Sequence, residues 1–114
     1  MPDQGSGAVE APRDATPQRV AELADAAVAA TPGVVRAYRA APALGGGLAP
    51  SPVLAHVSML PSRSVLVSVG VDAGASARDV ADAVAAAVRA ALPADWADCR
   101  VRVQVRRIES PEPA

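Results

Sequence analysis

Ser64-Val65-Leu66-Val67-Ser68-Val69-Gly70-Val71 places a valine at every second position, and from Ser76 the repeat lengthens, with Val80, Val84 and Val88 four residues apart. From Arg100 the shorter period returns, and Val101, Val103 and Val105 alternate with Arg100, Arg102, Gln104 and Arg106. Successive side chains on a strand point to opposite faces, so a half-buried strand shows period two; a one-sided helix repeats every three to four residues. The stretch 64–108 therefore reads as strand, helix, strand. Asp72-Ala73-Gly74-Ala75 links the first strand to the helix, and Ser76 and Asp79 have capping-box spacing with Asp in place of the usual Glu. Val80, Ala83, Val84, Ala87, Val88, Ala91 and Leu92 form its apolar stripe, and Pro93 stops it. Residues 94–99 form a connector with the only tryptophan, Trp96, expected to pack with Leu92 beneath it.

Upstream, Thr16-Pro17 starts another helix, since Thr16 can cap open N–H groups and proline fits the first helical position. Val20, Leu23, Ala24, Ala27, Val28 and Thr31 share one face, Arg19, Glu22 and Asp25 point toward water, and Pro32-Gly33 ends the helix. Val34 to Ala40 reads as a short strand with Val35, Ala37 and Arg39 on one face and Val34, Arg36 and Tyr38 on the other. Residues 41–52, with Gly45-Gly46-Gly47 and several prolines, read as a flexible loop. Val53 to Leu60 is extended again, and Pro61-Ser62-Arg63 turns it into the strand from Ser64, giving an antiparallel hairpin.

The predicted order is α-β-β-β-α-β. The fold class is α+β: a two-layer sandwich in which a four-stranded mixed or antiparallel sheet carries both helices on one face. The single domain spans 16–109, between disordered tails at 1–15 and 110–114. With the valines turned to the helices, the open face carries Arg100, Arg102, Gln104 and Arg106 beside Ser64, Leu66, Ser68 and Gly70.

The material of this core is unusual. Hydrophobic residues make up 51% of the 114, yet aromatics only 2%, and phenylalanine is absent. Burying a valine gains about 1.5–3 kcal/mol and an alanine much less, against about 1–2 kcal/mol of backbone entropy per ordered residue. An Ala/Val core of this size is marginal alone, which predicts a homo-oligomer. All 11 basic residues are arginine and the net charge is -1, so no global field draws the chain to nucleic acid or anionic lipid. Arginine without lysine, amid abundant alanine, valine, proline and glycine, suggests a GC-rich bacterial genome. The single cysteine, Cys99, fits a reducing compartment. No apolar run approaches the roughly 20 residues that span a bilayer, and the polar, acidic start is unlike a secretory signal. The expected location is the cytoplasm, with no direct membrane insertion.

No motif of catalysis or metal binding emerges. Cys99 and the only histidine, His56, would need to approach within about 3 Å to act as a nucleophile pair, whereas cysteine is commonly a small buried hydrophobe. One His and one Cys do not make a zinc site. Gly45-Gly46-Gly47 lacks the strand-before, helix-after context of a phosphate cradle. Asp72, Asp79 and Asp82 are accounted for by the positive end of the helix dipole. No catalytic residue, metal or cofactor is expected. Arg100, Arg102 and Arg106, with Tyr38, form a candidate protein-contact surface. The plainer alternative is a solvated face whose charges keep an edge strand from aggregating. Nucleic acid is not expected, since sheet-based RNA binders stack bases on aromatic side chains that are missing here.

Two segments together resemble a known family. They are Val20-Ala21-Glu22-Leu23-Ala24-Asp25-Ala26-Ala27-Val28-Ala29-Ala30-Thr31-Pro32-Gly33-Val34-Val35, and Val65 to Ala75 followed by Asp79-Val80-Ala81-Asp82-Ala83-Val84 and Val101-Arg102-Val103-Gln104-Val105. Their order and spacing resemble the alkaline-shock (Gls-type) envelope stress response family of bacteria, over about Pro17 to Ile108. The chain departs from that pattern at Gly74-Ala75-Ser76 and in the 41–52 loop. The resemblance implies a non-enzymatic cytoplasmic protein that self-associates or docks near the membrane through a small membrane-anchored partner. The rival readings are a ferredoxin-like regulatory or small-ligand-binding module and an RNA-binding domain.

Overall fold

The computed structural model describes residues 16–40 and 53–110. The tail expected at 1–15, the loop expected at 41–52 and all of the tail expected at 110–114 except Ser110 lie outside the described residues. The elements are α1 (Pro17–Ala29), β1 (Val34–Tyr38), β2 (His56–Ser58), β3 (Ser64–Asp72), α2 (Ala77–Ala91), a short 3-10 turn (Ala94–Trp96) and β4 (Arg100–Glu109). The order α-β-β-β-α-β read from the periodicity is present.

Local chemistry explains where the helices begin. The Thr16 hydroxyl accepts the Arg19 N–H at 3.1 Å, with Pro17 at the first helical position. The Ser76 hydroxyl accepts the Asp79 N–H at 3.1 Å in the same way. Gly33 turns α1 into β1 at φ +92°, a left-handed conformation that side chains oppose, and a Cβ there would lie 2.6 Å from Val80 Cγ2. Its carbonyl accepts the Asp72 N–H at 2.9 Å, tying this turn to the end of β3.

The sheet is four-stranded and mixed, with β3 at its centre. One edge of β3 pairs in parallel with β4 along its length, from Ser64 opposite Arg100 to Asp72 opposite Glu109. The other edge is shared: β2 pairs antiparallel with its first half (Val57 opposite Val65) and β1 antiparallel with its second half (Ala37 opposite Val69). The hairpin of β2 and β3 is as expected. The parallel pair is joined by a crossover through α2, as a parallel connection requires.

Both helices lie on the face carrying Val65, Val67, Val69 and Val71. These four, with Val20, Ala24 and Val28 of α1, Val80, Val84 and Val88 of α2, and Trp96 and Cys99 of the connector, make one buried cluster. Val101, Val103, Val105 and Leu92 pack against it while partly exposed. Trp96 is fully buried and is the largest side chain in this valine core.

Several side chains depart from the sequence reading: in α1 the buried face takes Ala21, while Leu23 is only partly buried and outside the core cluster. In β1 the register slips at Val35, so Val34 joins Ala37 against the core; Arg39 lies beyond the strand's end and is exposed. Asp25, expected to face water, instead accepts the Leu54 N–H (2.8 Å) and the Ala55 N–H (2.9 Å) with its two carboxylate oxygens. It anchors the chain where it enters β2.

Candidate functional site

The open face of the sheet is built by alternation. Along β4 the residues Arg100, Arg102, Gln104, Arg106 and Arg107 are exposed, while Val101, Val103 and Val105 are half-buried against α2 and the core. Pairing puts Ser64 beside Arg100, Leu66 beside Arg102 and Ser68 beside Gln104. The arginines singled out from sequence therefore share the face predicted for them.

The end of this face is more elaborate than simple alternation allows. Between Val69 and Gly70 the register slips, and Gly70 pairs with Arg107 rather than Arg106. A bulge of this kind sets two residues against one and twists the strand locally. Its consequence is that Ile108 comes opposite Val71 on the core side, although it stays 55% exposed, and Glu109 comes to the open face opposite Asp72.

Glu109 is the hub of a small cluster there. One carboxylate oxygen accepts a hydrogen bond from the Tyr38 hydroxyl, and the other meets Arg36 Nε at 3.1 Å. The Arg36 side chain is 56% exposed and that of Glu109 only 16%. The carboxylate lies over Gly70, where a Cβ would collide with Glu109 Oε2 and stand 3.2 Å from the Tyr38 ring. The Arg106 guanidinium stacks 5.1 Å from the Tyr38 ring centroid. Tyr38 is thus not a loose exposed aromatic: it is held from one side by Glu109 and from the other by Arg106. The hydrogen bond to Glu109 is the main cause that raises the Tyr38 pKa above its ordinary value, with partial burial next. Ser68, between Tyr38 and Gln104 in the pairing, is buried, and its hydroxyl has no partner among the described residues.

The sequence reading put Gly70 on the open face and Arg36 on one strand face with Tyr38 but gave neither a role, and it did not find Glu109. The doublet Arg106-Arg107, which breaks the alternation, was the signal of the bulge that brings Glu109 to this face.

Cys99 and His56, weighed above as a nucleophile pair, are not brought together. His56 is opposite Leu66, which sets it with the open-face residues, whereas Cys99 belongs to the buried core. Burial pushes the Cys99 thiol above its ordinary pKa, outweighing the arginines Arg89 and Arg63 that oppose the shift. Among the described residues no group of three or more His, Cys, Asp or Glu side chains could hold a metal ion. Asp72 accepts the Gly74 N–H at 2.8 Å, and Asp79 lies in the first turn of α2, so both serve the local backbone and helix end. The triple glycine lies outside the described residues.

Two further features are apolar or structural. Arg63 donates to the Asp95 carbonyl at 2.6 Å and covers Trp96 at 4.9 Å from its ring centroid, closing the connector over the core. On the far side of the helices, Ala27, Thr31, Pro32, Ala83, Ala87 and neighbouring alanines line a shallow apolar groove of about 440 Å³. No helix among the described residues is long and apolar enough to cross a membrane.

No protein-family model, curated protein or solved structure matches the chain.

Proposed function

We propose that this protein is a non-enzymatic scaffold of the alkaline-shock (Gls-type) envelope stress kind, acting by self-association or by protein–protein contact near the membrane. The observation that carries the reading is the one-sided architecture. Both helices cover the valine face, and the opposite face displays a row of exposed arginines, with Arg106 stacked on Tyr38 beside the Tyr38–Glu109–Arg36 cluster. Charged, partly ordered surfaces on a rigid sheet suit recognition, because little conformational freedom is lost when they bind. The helix ending in Pro32-Gly33 and the strand–helix–strand unit after Ser64 supply the family resemblance.

Light scattering of the full chain, with co-sedimentation on membranes of a cell expressing it, tests the reading. Concentration-dependent assembly, or membrane retention that a protease treatment of the membranes abolishes, supports it. A strict monomer at high micromolar concentration that also stays off membranes sinks it. The rival ligand-binding module predicts stabilisation by nucleotides or small anions in a thermal-shift screen.

A further inference from the structure

We infer that the outer edge of β4 docks an extended acidic segment of a partner protein, and not a second copy of this chain. This rests on the contact-scaffold reading and specifies which surface is used and what it takes. β4 pairs with β3 along one edge only, and among the described residues no strand pairs with its other edge. Such an edge turns a row of N–H and C=O groups outward, which is the template for adding a strand.

The side chains select what is added. Arg100 and Arg102 stand two residues apart on the open face, a step of about 6.5–7 Å along a strand. The bulge then sets Arg106 and Arg107 together against Gly70. None of Arg100, Arg102 and Arg107 has a carboxylate partner among the described residues, and Arg106 rests on the Tyr38 ring. The one carboxylate of the strand, Glu109, is withdrawn into its contacts with Arg36 and Tyr38. The edge therefore offers four guanidinium groups and no available acid.

That asymmetry decides against a second copy. Antiparallel pairing of two β4 strands about Gln104 brings Arg102 opposite Arg106, and an in-register parallel pairing stacks each arginine on itself. Like charges directly opposite each other destabilise a strand pair. A partner strand with acidic side chains at alternate positions reverses every one of these terms, and arginine forks match carboxylates in pairs. Nucleic acid is the weaker fit, since Tyr38 is the face's single aromatic and is already held.

The test uses the full chain and a fluorescent decapeptide of alternating glutamate and threonine, followed by anisotropy and by amide hydrogen exchange. The expected result is saturable binding that weakens as salt rises, with slowed exchange confined to the β4 amides. R100E/R102E, with circular dichroism unchanged, should weaken binding at least about tenfold, and R100K/R102K should retain most of it. Absence of binding, binding indifferent to R100E/R102E, no added protection in β4, or tighter binding of an oligothymidylate of equal charge would each overturn the inference. Light scattering on the same samples separates the two claims. Assembly without peptide binding leaves the scaffold reading standing and removes this edge from it; peptide binding by a strict monomer keeps the edge and discards self-association.

Discussion

The two faces of the sheet are made by the same strands and obey different rules. On the covered face Val65, Val67, Val69 and Val71 meet Val84 and Val88 around the single large side chain, Trp96, and the valines are interchangeable in kind: small, apolar and shielded. Their stabilisation comes from area removed from water, about 1.5–3 kcal/mol for each valine. At the Glu109 end of the open face the residues are not interchangeable. Glu109 fits over Gly70 because that residue has no side chain, and Tyr38 and Arg36 take one carboxylate oxygen each. A face stabilised by burial tolerates exchange of one aliphatic for another, while a face ordered by directed polar contacts depends on individual atoms.

The largest expected effect lies on the covered side. Trp96→Ala should lower the unfolding free energy by about 3–5 kcal/mol in urea titration, enough to threaten folding. Trp96→Phe should cost less, because it keeps an aromatic ring and deletes the indole N–H, which has no partner among the described residues. A loss below about 1 kcal/mol for Trp96→Ala would mean that burial does not set the stability of that face.

Gly70→Ala is next. Its methyl would displace the Glu109 carboxylate from its two partners, costing about 1–3 kcal/mol as an overpacked site does. An unchanged midpoint would show that Glu109 moves away freely and that the cluster is loosely held.

A smaller effect concerns pH. The Tyr38 pKa is raised in the folded chain above the ordinary value of 10.0, chiefly by the hydrogen bond to Glu109. Its contribution to stability is therefore whole below pH 10.0 and is lost as pH rises through the folded value. Ultraviolet absorbance titration of the single tyrosine should show the elevated value, and Glu109→Gln should bring it back toward the ordinary one. An unaltered titration in that variant would break the link between these two residues.

The smallest stability effect belongs to Arg102→Gln, expected within about 0.5 kcal/mol of the parent in urea titration. Arg102 is exposed and has no ion-pair partner among the described residues. A larger loss would make it part of the scaffold and weaken its role as a recognition group.

The covered face was legible in the sequence and the open face only in outline, for a physical reason. Helix starts depend on groups three residues apart, as at Thr16 with Arg19 and Ser76 with Asp79. Alternating valines state which side of a strand is buried without reference to any other strand. The remaining features depend on register, which is settled between distant segments. Asp25 reaches residues 54 and 55, Tyr38 reaches Glu109, and the slip at Gly70 exists only relative to β3. The alternation alone placed Arg100 and Arg102 correctly, because both precede the bulge. It could not say that β4 runs parallel to β3, nor that β1 and β2 divide one edge of β3 between them.

That divided edge has a consequence for engineering. Ala40 donates its N–H to the Leu54 carbonyl at 2.9 Å, and Asp25 clasps the backbone just beyond, so the chain departs and returns at a single clamped point. Lengthening the segment between them changes closure entropy by only about 0.6 kcal/mol per doubling. A peptide tag or even a small reporter domain grafted between residues 41 and 52 should leave the rest of the protein assembled.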